Sequence, residues 1–213
     1  MLRKSRHIGT LPAFVLMMGG AAAVSHAEIV PMTRERVAEA ELFGGKAVKG
    51  DNIIHADTCR TKGKFGPHVF DMTIMTPFAT VAYAVFESEK NGKPLDLARW
   101  PIDLPEKQSV IVSVDPAALL PVGLPPAPPV SVKSVVLRRG DQIIEARRAD
   151  THEVQFPEFD EKHRKYRGGA FYFPLEPFAS EKGDLEIVVI PEMEKAGAEA
   201  VLKLKKALLA KMR

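Results

Sequence analysis

Residues 132–147 read VKSVVLRRGDQIIEAR, two runs rich in β-branched residues on either side of Gly140-Asp141. A two-residue loop opening on glycine suits a tight β-hairpin, because glycine reaches the positive φ that the turn demands of its first residue. The stretch therefore predicts paired strands over Val132 to Arg138 and Gln142 to Arg147. Six more short runs share this texture: Ile53-Ile54, Val69 to Met75, Val110 to Val114, Glu153 to Phe156, Ala170 to Phe173 and Leu185 to Ile190. Proline, glycine and charge clusters separate them, as when Asp115-Pro116 follows Val114. Parallel sheets need a crossover helix after most strands, and one pair here has such a helix. The fold class expected is mainly β: an antiparallel, immunoglobulin-like β-sandwich with one internal helix and flanking N- and C-terminal helices.

The internal helix is expected over 77–91. Thr76 is an N-cap, and Pro77 follows at the first helical position, where its missing N–H costs nothing. Phe78, Val81, Ala82, Val85 and Phe86 fall on one face, and Asn91-Gly92 ends the run. An N-terminal helical segment is expected within 28–50, from Met32 to Phe43, stopped by Gly44-Gly45. The sandwich would occupy 51–190. A C-terminal amphipathic helix is expected within 191–213, with Val201, Leu204, Leu208 and Met212 along one side and Lys203, Lys206 and Arg213 opposite. Residues 121–129 (PVGLPPAPP) hold five prolines, which excludes a central strand there.

The chain opens with Arg3, Lys4 and Arg6, then an uncharged run from Ile8 to Val24, then Ser25-His26-Ala27, with no acid before Glu28. A basic start, an apolar middle and small residues at the two cleavage positions read as a secretory signal over 1–27, cut near Ala27. Periplasmic or secreted location follows as the expectation. Of 30 Lys+Arg three lie in that segment, leaving 27 against 27 Asp+Glu, so the remainder carries no formal net charge. Nucleic acid as a partner is disfavoured, since it needs a net or clustered basic field. The single cysteine excludes an intramolecular disulfide and any site built from several cysteines.

Three clusters could carry chemistry. His55, Asp57 and Cys59 would share one face of a strand, with His68 nearby, and these are metal-ligand types; the competing reading is a solvated strand end beside a basic loop of Arg60, Lys62 and Lys64. Arg164, Lys165 and Arg167 could hold an anionic ligand with Tyr166 as a stacking platform, against the plainer reading of 158–167 as an inter-strand loop. The C-terminal stripe could meet a partner groove or a membrane surface. No G-x-S-x-G, H-E-x-x-H, P-loop or G-x-G-x-x-G occurs after residue 27, so no catalytic residue and no cofactor is assigned. The leading expectation is a non-enzymatic exported module of the cell envelope whose partner is another envelope or extracellular protein. A periplasmic metal-binding protein using His55, Cys59 and His68 is the first alternative. A hydrolase with a site assembled from scattered carboxylates is the second.

Overall fold

The computed structural model describes residues 29–49, 59–118, 129–156, 165–179, 184–193 and 198–204. Among these residues nine strands form two antiparallel sheets. They are β1 (Cys59–Phe65), β2 (His68–Met75), β3 (Val110–Ala117), β4 (Val132–Arg139), β5 (Gln142–Glu145), β6 (Arg148–Gln155), β7 (Lys165–Phe173), β8 (Leu185–Pro191) and β9 (Ala200–Leu204). One sheet has the order β1-β2-β3-β7-β6 and the other β5-β4-β8-β9. The expected mainly β class with two stacked antiparallel layers is what the chain adopts.

Alternation along the strands builds the core. Phe70, Met72 and Ile74 of β2, Val110, Val112 and Val114 of β3, and Phe171 and Phe173 of β7 face Val135 and Leu137 of β4, Leu185, Ile187 and Val189 of β8, and Ala200 and Leu204 of β9. Each of these side chains is nearly or wholly removed from water, at roughly 1.5–3 kcal/mol apiece for the larger ones. The hairpin β4–β5 closes as expected, Arg139 opposite Gln142, with Gly140 at φ +56°. Beyond it the chain does not run on as one strand to Arg147. It breaks after Glu145 and changes sheets, so that β5 pairs with β4 and β6 pairs with β7.

A separate helical lobe packs α1 (Arg34–Lys49) on α2 (Pro77–Lys90). Met32, Val37, Ala40, Phe78, Val81, Ala82, Val85, Leu97 and Trp100 make its own apolar cluster. Thr76 caps α2 as expected, its hydroxyl accepting from the Ala79 N–H at 3.2 Å. The expected stop at Gly44-Gly45 is wrong, because α1 continues through both to Lys49. Gly44 lies where α1 meets α2, so its missing Cβ serves helix packing rather than a C-cap. Gln108 then ties the lobe to the start of β3: its side chain accepts from the Met32 N–H at 2.8 Å and donates to the Ile102 carbonyl at 2.8 Å. A one-turn helix, α3 (Glu176–Ala179), buries Phe178 at the end of β7.

Two further expectations are corrected. The basic segment Arg60, Lys62, Lys64 is strand β1, not loop; it alternates with Thr61, Gly63 and Phe65 along the register to β2. Residues 200–204 are strand β9, not the body of a C-terminal helix, and pair with β8 from Leu185↔Leu204 to Val189↔Ala200. AVLKL satisfies both periods over so short a run, and the free edge of β8 selects the extended form. The strand expected at Ile53-Ile54 and the proline-rich 121–128 lie outside the described residues.

Candidate functional site

The outer face of the five-stranded sheet carries a set of charged and polar side chains drawn from several of its strands. In β6 each position is exposed or half-buried, so this edge strand adds nothing to the core. Its residues Arg148, Asp150 and His152 alternate onto one face, beside Tyr172, Ala170 and Gly168 of β7. On the far side of β7 stand Ile111, Ser113 and Asp115 of β3, and beyond them Thr73 and Asp71 of β2.

One row of this face crosses the whole sheet. Lys62 of β1 sits 3.5 Å from Asp71, Asp71 is opposite Asp115, and Asp115 Oδ1 meets His152 Nε2 at 2.7 Å. The last contact spans strand β7 and is possible because the residue between is Gly168. A Cβ there would overlap Asp115 Oδ1 and stand 3.1 Å from His152 Nε2.

Two residues along, Arg148 Nε donates to Asp150 Oδ1 at 2.9 Å, and its guanidinium lies 5.4 Å over the Tyr172 ring. Glu106, from the turn before β3, approaches Arg148 at 3.7 Å. The hydrogen bond from Arg148 holds the Asp150 carboxyl below its ordinary value, and burial first, then hydrogen bonding to Asp150, pushes the Tyr172 phenol up. The result is an open, charge-paired surface of imidazole, carboxylate, phenol and guanidinium groups.

The residues picked out from sequence fall elsewhere. His55, Asp57, Arg164, Leu208 and Met212 lie outside the described residues. Cys59 is opposite Ile74 at one end of the β1–β2 hairpin, and His68 is opposite Phe65 at the other. Six register positions separate them, about 20 Å along the strands, so the two cannot ligate one ion. Among the described residues no group of three or more His, Cys, Asp or Glu is placed to hold a metal.

Lys165, Tyr166 and Arg167 belong to β7 rather than to a loop, and the strand runs on through Gly168-Gly169 to Phe173. Lys165 Nζ bonds Glu153 Oε2 at 2.5 Å. Arg167 donates its N–H to Ser131 Oγ at 3.0 Å and its guanidinium lies 3.9 Å from Glu192. Tyr166 is 4% exposed and packs edge-on to Phe156, so it offers no stacking platform. Val201 and Leu204 do not share a stripe: Leu204 is in the core and Val201 is 38% exposed on the other face. Trp100 belongs to the helical lobe, with the Lys107 ammonium 4.9 Å over its ring.

The sequence reading missed Asp115, Arg148, Asp150, His152 and Tyr172. A period-two signal was present in Arg148, Asp150 and His152, which mark one face of a strand. The pairing of Asp115 with His152, 37 residues apart, leaves no local trace.

No protein-family model matches this chain, and neither a curated protein nor a solved structure matches it.

Proposed function

We propose that this chain is an exported, non-enzymatic binding or structural module of the cell envelope, built on an immunoglobulin-like sandwich, and that another envelope or extracellular protein is its partner. The observation that carries the reading is the surface made by β6 and the polar row beside it: an edge strand outside the core, flanked by paired charges on an open sheet face. Export rests on the basic, apolar and small-residue order of 1–27.

The strand order supports the immunoglobulin-like assignment. In immunoglobulin domains one sheet runs A-B-E-D and the other C-F-G, with C′ added beside C in some types. Here β2-β3-β7-β6 and β5-β4-β8-β9 follow A-B-E-D and C′-C-F-G, and each of these pairs is antiparallel. Two departures are plain: α2 is inserted between the A- and B-like strands, and β1 is added outside the A-like strand. Val112 and Ile187 fill core positions on β3 and β8, the strands that in antibody domains carry the linking cysteines.

Affinity capture from intact envelope, with the full-length protein and an Arg148→Ala/Asp150→Ala/His152→Ala variant, tests the reading. A partner enriched by the wild type and lost from the variant supports it. A cytoplasmic location of the protein, or hydrolytic activity of the wild type, overturns it.

A further inference from the structure

We infer that β6 is a self-pairing edge: two copies of this chain join antiparallel along it, about a two-fold axis at Thr151, so that their five-stranded sheets become one. Among the described residues no strand lies on the far side of β6, which leaves a row of its backbone groups without a partner strand. The strand itself is firmly set. It pairs with β7 without a break from Arg148↔Tyr172 to Gln155↔Lys165, and the Lys165–Glu153 bond and the Arg148 guanidinium over Tyr172 tie the same two strands by their side chains. An edge already held in place loses little freedom when another strand docks on it.

Charge selects the occupant. Of the other sheet edges, β5 spans four residues and β9 five, too short to hold a copy by backbone bonds alone. β1 is longer, but Lys62 and Lys64 alternate along it and are exposed, and registers centred on Lys62 or Gly63 set lysine against lysine. That is a guarded edge. β6 mixes its signs instead, with no run of one charge to prefer an acidic or a basic peptide. A two-fold axis normal to the sheet keeps each side chain on its own face, and the registers that engage most of β6 are centred on Thr151 and on His152. The first places Asp150 opposite His152 of the second copy, Arg148 opposite Val154, Ala149 opposite Glu153, and threonine opposite threonine at the axis. No like charges stand directly opposite. The second sets imidazole against imidazole and leaves Asp150 facing Val154, while centring on Asp150 or Glu153 opposes two carboxylates. Only the Thr151 register joins acid to base along the length of the strand. The pairing uses the backbone edge of β6 and leaves the outer face open, so it stands or falls apart from the envelope reading.

Sedimentation equilibrium of protein purified from the producing cell, from about 5 µM to about 1 mM, reads the association. A reversible dimer with a dissociation constant on the order of 0.1 mM is expected, because one strand edge buries well under about 1,200 Å². His152→Asp sets two carboxylates opposite each other twice in the dimer and should weaken it about three- to tenfold. Disulfide trapping reads the register. Ala149, Thr151 and Glu153 are exposed, so cysteine is tolerated at each. In a Cys59→Ser background, Thr151→Cys meets itself at the axis and should oxidise to a covalent dimer about tenfold faster than Ala149→Cys or Glu153→Cys, each of which faces a different residue. The double variant Ala149→Cys/Glu153→Cys should link again. A monomer up to about 1 mM, an unchanged constant in His152→Asp, or a dimer in which Thr151→Cys links no faster than Ala149→Cys overturns the inference.

Discussion

Gly44 of α1 lies directly against Ala82 of α2, so close that a Cβ on Gly44 would overlap the Ala82 carbonyl oxygen and stand 2.9 Å from Val85 Cβ. Two helices with a cluster of their own meet at this point, apart from the inter-sheet core. A glycine that looks like a helix terminator is the residue that lets the helices touch.

Gly44→Ala is expected to destabilise the helical lobe by about 1–3 kcal/mol, since a backbone carbonyl cannot yield as a side chain can. That outweighs the gain of roughly 0.8–1 kcal/mol from replacing glycine in a helix. Gly45→Ala provides the contrast. Its Cβ would meet only the Glu89 carboxylate, 3.2 Å away at the end of a flexible chain, so it should be neutral or stabilising. Thermal melts followed at 222 nm separate the two.

Val112→Asp should unfold the sandwich. Val112 is 0% exposed between the sheets, and an unpaired carboxylate there costs upwards of about 4 kcal/mol. A lost cooperative urea transition is the expected result.

Leu204→Ala and Val201→Asp distinguish a strand from a helical stripe at 200–204. As part of β9, Leu204 is fully buried and its truncation costs about 2–5 kcal/mol. Val201 is 38% exposed, and its replacement by aspartate should cost less than about 1 kcal/mol. Urea midpoints of the two variants give the comparison.

Arg138 anchors a pair whose pH dependence has a definite sign. It donates to Glu186 at 2.8 Å and to Glu199 at 3.0 Å, and Lys203 lies 3.5 Å from Glu186. The Arg138 hydrogen bond holds the Glu186 carboxyl below its usual 4.5. A depressed carboxylate stabilises the fold above its unfolded value, and that stabilisation is lost as pH falls through the folded one. Glu186→Gln should therefore be less stable than the wild type at pH 7, with the gap closing below about pH 4.5. Denaturation midpoints between pH 3 and 7 measure this.

Export predicts that protein recovered from the producing cell begins at Glu28. N-terminal sequencing of full-length protein instead would contradict removal of residues 1–27.

Short-range signals in the sequence were enough to specify several local elements. Thr76-Pro77 and the apolar face to Val85 set α2, Gly140-Asp141 set the hairpin, and the alternation in Val69 to Met75 and Leu185 to Ile190 set core strands, because capping, turn geometry and pleat act between near neighbours. What needed tertiary structure was the choice between equal local options. AVLKL at 200–204 became a strand because β8 had a free edge for it, and Lys165 to Arg167 became a strand because β6 lay alongside. Gly44 stayed helical because α2 packed on it. The polar face was likewise decided by topology: only the register of β3, β7 and β6 brings Asp115 to His152 across Gly168, and a contact made over an intervening strand has no period in the sequence from which to read it.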